Sequence, residues 1–220
     1  MGADTKKNTT KNIVEVLDRA EERMYSRKTL ENHEVESNTI DTIIASIHEN
    51  STGEKEHSLH VSELCQQLGE ALKLSDVDLR KLKKAAYLHD IGKVVLYPRV
   101  LTKNLLSSEQ DINEIKKHAI VGYRILNSFD DTADLAELVL AHHEKWDGSG
   151  YPRGLKGDEI PLLARIISIA GNYDRMVSEC ENKEAICKVD AVQMIRRNAG
   201  IKFDPQLAEL FAQIIDNEEE

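Results

Sequence analysis

At 220 residues with 40% apolar side chains, the chain can build one medium domain with a real core, or one domain plus an appendage. Its formal net charge of −10 argues against a nucleic-acid or membrane surface, because either would repel it. The three cysteines, Cys65, Cys180 and Cys187, have no metal-type spacing and close no even disulfide set, which fits a reduced cytoplasm. No signal-peptide core opens the chain, and no apolar run approaches the roughly 18 residues a membrane helix needs. A soluble, cytoplasmic fragment is expected, with membrane anchoring of a longer parent chain left open.

Residues 1–11 are polar and aperiodic. From Asn12, the positions Ile13, Val16, Leu17, Ala20 and Met24 recur at helical spacing, predicting an amphipathic helix to about Lys28, with a polar linker over 29–36. Residues 1–36 therefore separate from a main domain over 37–220. A helix with Ile40, Ile43, Ile44 and Ile47 follows, broken at Asn50-Ser51-Thr52-Gly53. The next is expected to begin near His57 and to bury Val61, Leu64, Cys65, Leu68 and Leu72. Ser75 and Asp78 have capping-box spacing, with Asp in place of the usual Glu or Gln. The helix they open carries Leu79, Leu82, Ala85, Ala86 and Leu88 into His89-Asp90. Residues 94–106, with Pro98, read as irregular.

Three further helices are expected: one capped at Ser107 and passing His118, one over Ile120–Phe129, and one over Leu135–His143. A loop rich in glycine comes next. Pro161 then opens the run Leu162, Leu163, Ile166, Ile167, Ile169. Val189–Arg197 stops at Asn198-Ala199-Gly200, and Pro205 opens a last helix with Leu207, Leu210, Phe211 and Ile214. Strand alternation and internal repeats are absent from the sequence. The predicted fold is all-α, a helical bundle with a site between helices.

The metal-type residues sit where apolar helical faces meet helix ends. His57 opens one helix, His89-Asp90 ends another, His118 lies in a third and His142-His143 closes a fourth. Any one alone would be an ordinary polar residue; together they can converge on one cavity of a bundle.

The pattern resembles the HD-GYP family, a branch of the HD metal-dependent phosphohydrolases, over about residues 38–215. His89-Asp90-Ile91-Gly92-Lys93 matches the family's H-D-I-G-K, and His142-His143-Glu144 with Trp146 to Pro152 matches H-H-E-x-x-D-G-x-G-Y-P. His57-Ser58, the isolated His118, Asn198-Ala199-Gly200 and Phe203-Asp204-Pro205 fit as well. The resemblance implies a bi- or trinuclear iron or manganese site that cleaves cyclic di-GMP to pGpG, with GMP as a further product. It implies His57, His89 and Asp90 on a first divalent ion, and Asp90, His118, His142 and His143 on a second. Asp90 would act as the shared catalytic carboxylate, Lys93 would steady the phosphate, and Gly150, Tyr151, Pro152 and Lys183 would contact substrate. Neutral imidazoles and a bridging carboxylate suit this chemistry, because they hold cations without cancelling their Lewis acidity.

The sequence departs from the family at three places. In the helix after the loop, the family's A-D-x-x-D reads Ala170-Gly171-Asn172-Tyr173-Asp174, so the position of a first-metal ligand is glycine. Asp174, one turn on, is an alternative donor. Gly53 stands where members with three metals carry Glu, with Glu54 and Glu56 nearby. The family's R-P-Y-[RK] is replaced by Cys180-Glu181-Asn182-Lys183, which keeps the last charge and loses the arginine. His60, where Arg is common, reads as a surface residue or one that supports a ligand. Weakened first-metal binding and a lowered rate are expected. Residues 18–28 resemble the final helix of GGDEF (diguanylate cyclase) domains, which implies upstream domains and a homodimer through this helix. An inactive module that binds metal or nucleotide and signals through a partner remains the alternative, as does a different nucleotide substrate.

Overall fold

The computed structural model describes residues 38–96, 109–178 and 186–217. The helix expected over 12–28, Pro98, Ser107 and the Cys180–Lys183 stretch lie outside the described residues. Two compact units divide at Thr42 and Ile43; of the first, only residues 38–42 are described, and they are helical. Everything that follows concerns the second unit, Ile43–Glu220.

The described residues form α-helices and two short 3-10 turns, with no strand among them beyond one isolated bridge between Ala199 and Phe203. Within this unit, helix α1 covers 43–50 and buries Ile44 and Ile47. Helix α2, Thr52–Ala71, starts earlier than the sequence suggested, because Ser51 caps it by accepting the Glu54 amide at 3.3 Å. His57 consequently lies inside α2 rather than at its start. Helix α3, Asp76–Leu88, packs along α2 and is capped by Ser75, whose hydroxyl accepts the Asp78 amide at 3.1 Å and donates to the Asp78 carboxylate at 2.7 Å. The chain then turns through a 3-10 segment, Ile91–Val95.

Helix α4, Glu109–Leu126, is a single element where two were expected. The polar Lys116-Lys117 pair is its exposed face, while Ala119, Gly122 and Leu126 continue one buried stripe at helical spacing. Helix α5, Ala133–Ala141, packs against α4 and is buried on most sides. Helix α6, Leu162–Val177, extends two turns past the apolar run and packs against α2. Helices α7, Lys188–Arg197, and α8, Pro205–Asn217, close the unit against each other and α6.

Glycine decides how closely α4 approaches the 3-10 segment. A Cβ on Gly92 would stand 2.0 Å from the His118 carbonyl oxygen and 2.5 Å from the Gly122 amide. That contact seats Asp90 beside His118.

Candidate metal centre

All six residues that the sequence singled out as metal-type come together. His89 and His142 are the C-caps of α3 and α5, His118 lies mid-helix in α4, and His57 sits in α2. Donor atoms of Asp90, His118, His142 and His143 form one cluster, those of His57, His89 and Asp90 another, each within 4.8 Å. Asp90 belongs to both.

Three of the imidazoles are oriented the same way. Nδ1 of His89 donates to the Ala86 carbonyl at 2.6 Å, that of His118 to Ile115 at 2.5 Å, and that of His142 to Val139 at 2.5 Å. A carbonyl only accepts, so the proton of a neutral ring is fixed on Nδ1 and the Nε2 lone pair faces inward. His118 Nε2 lies 3.3 Å from His142 Nε2 and 3.1 Å from His143 Nε2. Burial lowers the pKa of His57, His118 and His142, and takes His143 down to about 3, so these rings are neutral near pH 7. Inward-facing lone pairs cannot hydrogen-bond one another. Asp90 Oδ1, buried without a hydrogen-bond partner, lies 3.2 Å from His118 Nε2. Such a set of acceptors fits a divalent cation.

The other carboxylate oxygen faces two cations, Arg175 and Lys93, and two ring nitrogens. Asp90 Oδ2 is 2.6 Å from Arg175 Nη2, 2.8 Å from Lys93 Nζ, 3.2 Å from His89 Nε2 and 3.8 Å from His57 Nε2. Burial alone would raise the Asp90 carboxyl; His89, Lys93 and Arg175 overcome it and hold the group well below the usual carboxylate range. Lys93 also donates to both oxygens of Glu54 at 2.7 Å. On the outer side, His57 Nδ1 donates to Asp174 Oδ2 at 2.6 Å, and His60 Nδ1 lies 3.2 Å from Asp174 Oδ1. Asp174 therefore meets the outer nitrogen of His57, with its oxygens engaged away from the centre. A Cβ on Gly171 would stand 3.9 Å from His89 Nε2 with nothing else within 4 Å, so this position faces the centre and offers no donor.

The loop between α5 and α6 folds over His143. Glu144, buried, accepts the amides of Arg153 (2.7 Å) and Gly154 (3.2 Å) on one oxygen and of Leu155 (3.1 Å) on the other. Gly150 passes so close to the chain that a Cβ would lie 2.3 Å from the Lys145 amide. This brings the Tyr151 ring onto His143, with centroids 4.8 Å apart and planes at 27°. Lys116 Nζ sits 5.4 Å from the centre of the same ring. Pro152 follows through a cis peptide bond. Lys183 lies outside the described residues.

The sequence profile described as HD domain matches residues 21–207. The chain belongs to the HD domain family. It is 36% identical to the cyclic di-GMP phosphodiesterase of Thermotoga maritima over 160 residues, 72% of this chain and 44% of that protein. It is 34% identical to the cyclic di-GMP phosphodiesterase response regulator RpfG of Xanthomonas campestris pv. campestris over 177 residues, 79% of this chain and 46% of that one. A 3'3'-cGAMP-specific phosphodiesterase of Vibrio cholerae is 35% identical over 150 residues, 68% of this chain and 33% of that one. The chain thus spans less than half the length of these curated relatives. Among solved structures, an HDG"Y"P protein from Bdellovibrio bacteriovorus has a TM-score of 0.63 at 24% identity, covering 96% of this chain and 75% of that one. That likeness shows the fold.

In this HD domain the residues that sequence reasoning missed are the partners rather than the donors. Arg175 falls one helical turn beyond Gly171, a spacing that signals a shared face only once the helix is known to reach Val177. Glu54, which the sequence places beside the position of a third-metal ligand, pairs with Lys93, which also meets Asp90. Glu144 was read as part of a motif; a carboxylate just ahead of a glycine-rich loop, with many amides to satisfy, was the available signal.

Proposed function

We propose that this HD domain is a divalent-metal-dependent phosphodiesterase that opens cyclic di-GMP to linear pGpG, with GMP as a further product. The observation that carries the reading is the pair of donor clusters sharing Asp90, with neutral imidazole lone pairs turned inward. Asp90, His118, His142 and His143 would hold one ion, iron or manganese. His57, His89 and Asp90 would hold a second more weakly, because Gly171 leaves that group a donor short. A bound divalent ion supplies Lewis acidity toward phosphoryl oxygens and acidifies water toward neutral pH.

The chain's own groups supply the rest. Neutral His57, His118, His142 and His143 keep those donors free of competing positive charge. Lys93 and Arg175, both beside Asp90 Oδ2, present positive charge to an incoming phosphodiester. Tyr151, held flat on His143, and Pro152 would shape the side of the mouth that meets guanine, with Gly150 letting the loop approach and Lys183 adding charge. In the reaction, the oxygen of water bonds to phosphorus, the bond from phosphorus to the 3'-oxygen breaks, and a proton passes to that leaving oxygen.

The acidic charge argues against a DNA partner, and no helix among the described residues is long and apolar enough to cross a membrane. A cytoplasmic location, upstream GGDEF or sensor domains and a homodimer through residues 12–28 belong to the same reading. Gly171 favours one second reading, a weakly active or inactive module that binds nucleotide and signals through a partner.

Elemental analysis and cyclic di-GMP turnover on one sample, expressed with iron and manganese, test the proposal. Bound metal with pGpG released supports the enzyme; bound metal and nucleotide without product supports the signalling module. Protein without metal overturns both. A faster turnover of 3'3'-cGAMP than of cyclic di-GMP would overturn the choice of substrate.

A further inference from the structure

Gly171 and Arg175 lie one turn apart on α6, on the face turned to the centre. A helical side chain leans back over the preceding turn, which carries Arg175 from its own Cα toward the ground beside Gly171. Gly171 leaves that ground open, since a Cβ there would meet only His89 Nε2, at 3.9 Å. The guanidinium reaches Asp90 Oδ2 at 2.6 Å while the side chain stays 44% exposed.

The two oxygens of Asp90 are thereby divided. Oδ1 faces His118 Nε2 at 3.2 Å and His142 Nε2 at 4.0 Å. Oδ2, the oxygen nearest His57 and His89, is taken by Arg175 and by Lys93 at 2.8 Å. An ion on His57, His89 and Asp90 would have to share Oδ2 with two fixed cations and stand close to both. It would also lack a donor from position 171. A guanidinium keeps its charge at every physiological pH, so this competitor never switches off.

We propose that Arg175 is the resident cation of the first position, so that the domain works with one firmly held divalent ion, on Asp90, His118, His142 and His143. The guanidinium supplies the second positive charge beside the phosphoryl group, and any ion on His57 and His89 exchanges freely. The buried Nε2 of His57, which has no hydrogen-bond partner, keeps its lone pair for that exchangeable ion or for water. This rests on the phosphodiesterase reading for the presence of metal, and it assigns the missing donor a replacement in charge rather than in coordination.

The test is manganese binding by the whole chain, followed by elemental analysis after desalting and by electron paramagnetic resonance. The wild type is expected to retain one ion per chain with the spectrum of an isolated manganese, and Arg175→Lys to do the same. Arg175→Ala is expected to tighten the second ion by about 10- to 100-fold, the order expected when a like charge a few ångströms away is removed. Arg175→Ala combined with Gly171→Asp is expected to retain two ions with a spin-coupled spectrum. Two firmly held, coupled ions in the wild type would overturn the proposal while leaving the phosphodiesterase reading intact. So would an unchanged second-ion affinity in Arg175→Ala. No manganese in any variant would overturn the phosphodiesterase reading, and this proposal with it.

Discussion

His57 and Asp174, 117 residues apart in sequence, are joined by a 2.6 Å hydrogen bond from Nδ1 to Oδ2. The carboxylate fixes the proton on Nδ1 and turns Nε2 toward Asp90, the arrangement by which outer carboxylates orient metal-facing imidazoles. Replacing Asp174 with Asn removes the charge and lets the ring choose its other tautomer. Affinity for the exchangeable ion on His57 and His89 is expected to fall by about 10- to 100-fold with the fold retained. His60→Ala, at the exposed partner of the same carboxylate, should change that affinity only a few-fold. Equal losses for the two variants would mean that Asp174 acts as a general structural anchor and not through His57.

Glu144 braces the loop that carries Tyr151. Removing its side chain as Glu144→Ala leaves three backbone amides of residues 153–155 without acceptors. Hydrogen bonds to a charged group are worth about 1.5–3 kcal/mol each. A loss of about 3 kcal/mol or more in urea unfolding is expected, together with weaker cyclic di-GMP binding. Metal content should hold, because none of the donor side chains depends on Glu144. An unchanged urea midpoint would show that the loop is held by other contacts.

The donors were legible in the sequence, and their partners were not. His89, His118 and His142 each lie on a helix face readable from apolar spacing, and the i−3 carbonyl that orients each ring comes with the helix itself. Arg175 and Asp90 are 85 residues apart, and no local pattern relates them. The same holds for Lys93 and Glu54, 39 apart. Two helices were read where α4 runs unbroken, because the exposed Lys116 and Lys117 interrupt the apolar run without interrupting the buried stripe. The early start of α2 depended on Ser51, whose capping bond to Glu54 looks in sequence like part of a loop. Long-range pairing, capping and close approach are set in three dimensions, which residue spacing along the chain does not record.

Gly92 tests the close approach. The atoms that a Cβ would meet are backbone, the His118 carbonyl oxygen at 2.0 Å and the Gly122 amide at 2.5 Å, so no side chain can move aside. Gly92→Ala should cost about 3 kcal/mol or more, at the upper end for overpacking, and should lower metal retention by parting Asp90 from His118. Gly122→Ala would meet first the Val139 Cγ1 methyl at 2.9 Å, a side-chain atom that can shift, and is expected to cost less. Thermal unfolding of both variants decides the point; a milder effect at Gly92 than at Gly122 would sink it.

Metal-free protein should lose stability in mild acid. The unfolded chain protonates its histidines near 6.5, whereas burial holds His143 down to about 3 in the folded state. Between those values the unfolded state binds the extra proton, so stability falls as pH falls across that window. The slope is about 1.4 kcal/mol per pH unit for one such group. His57, His118 and His142 are shifted in the same direction by burial and add to it. Asp90 and Glu54, whose pKa values are lowered, contribute stability that is lost only in stronger acid, as pH falls through their folded values. Urea unfolding of chelator-treated protein between pH 7 and pH 5 is expected to show a falling midpoint. His143→Gln removes one titrating group and should flatten that slope. A midpoint independent of pH would mean that these rings take up protons in the folded state, and the inward-facing lone pairs of the centre would have to be reassigned.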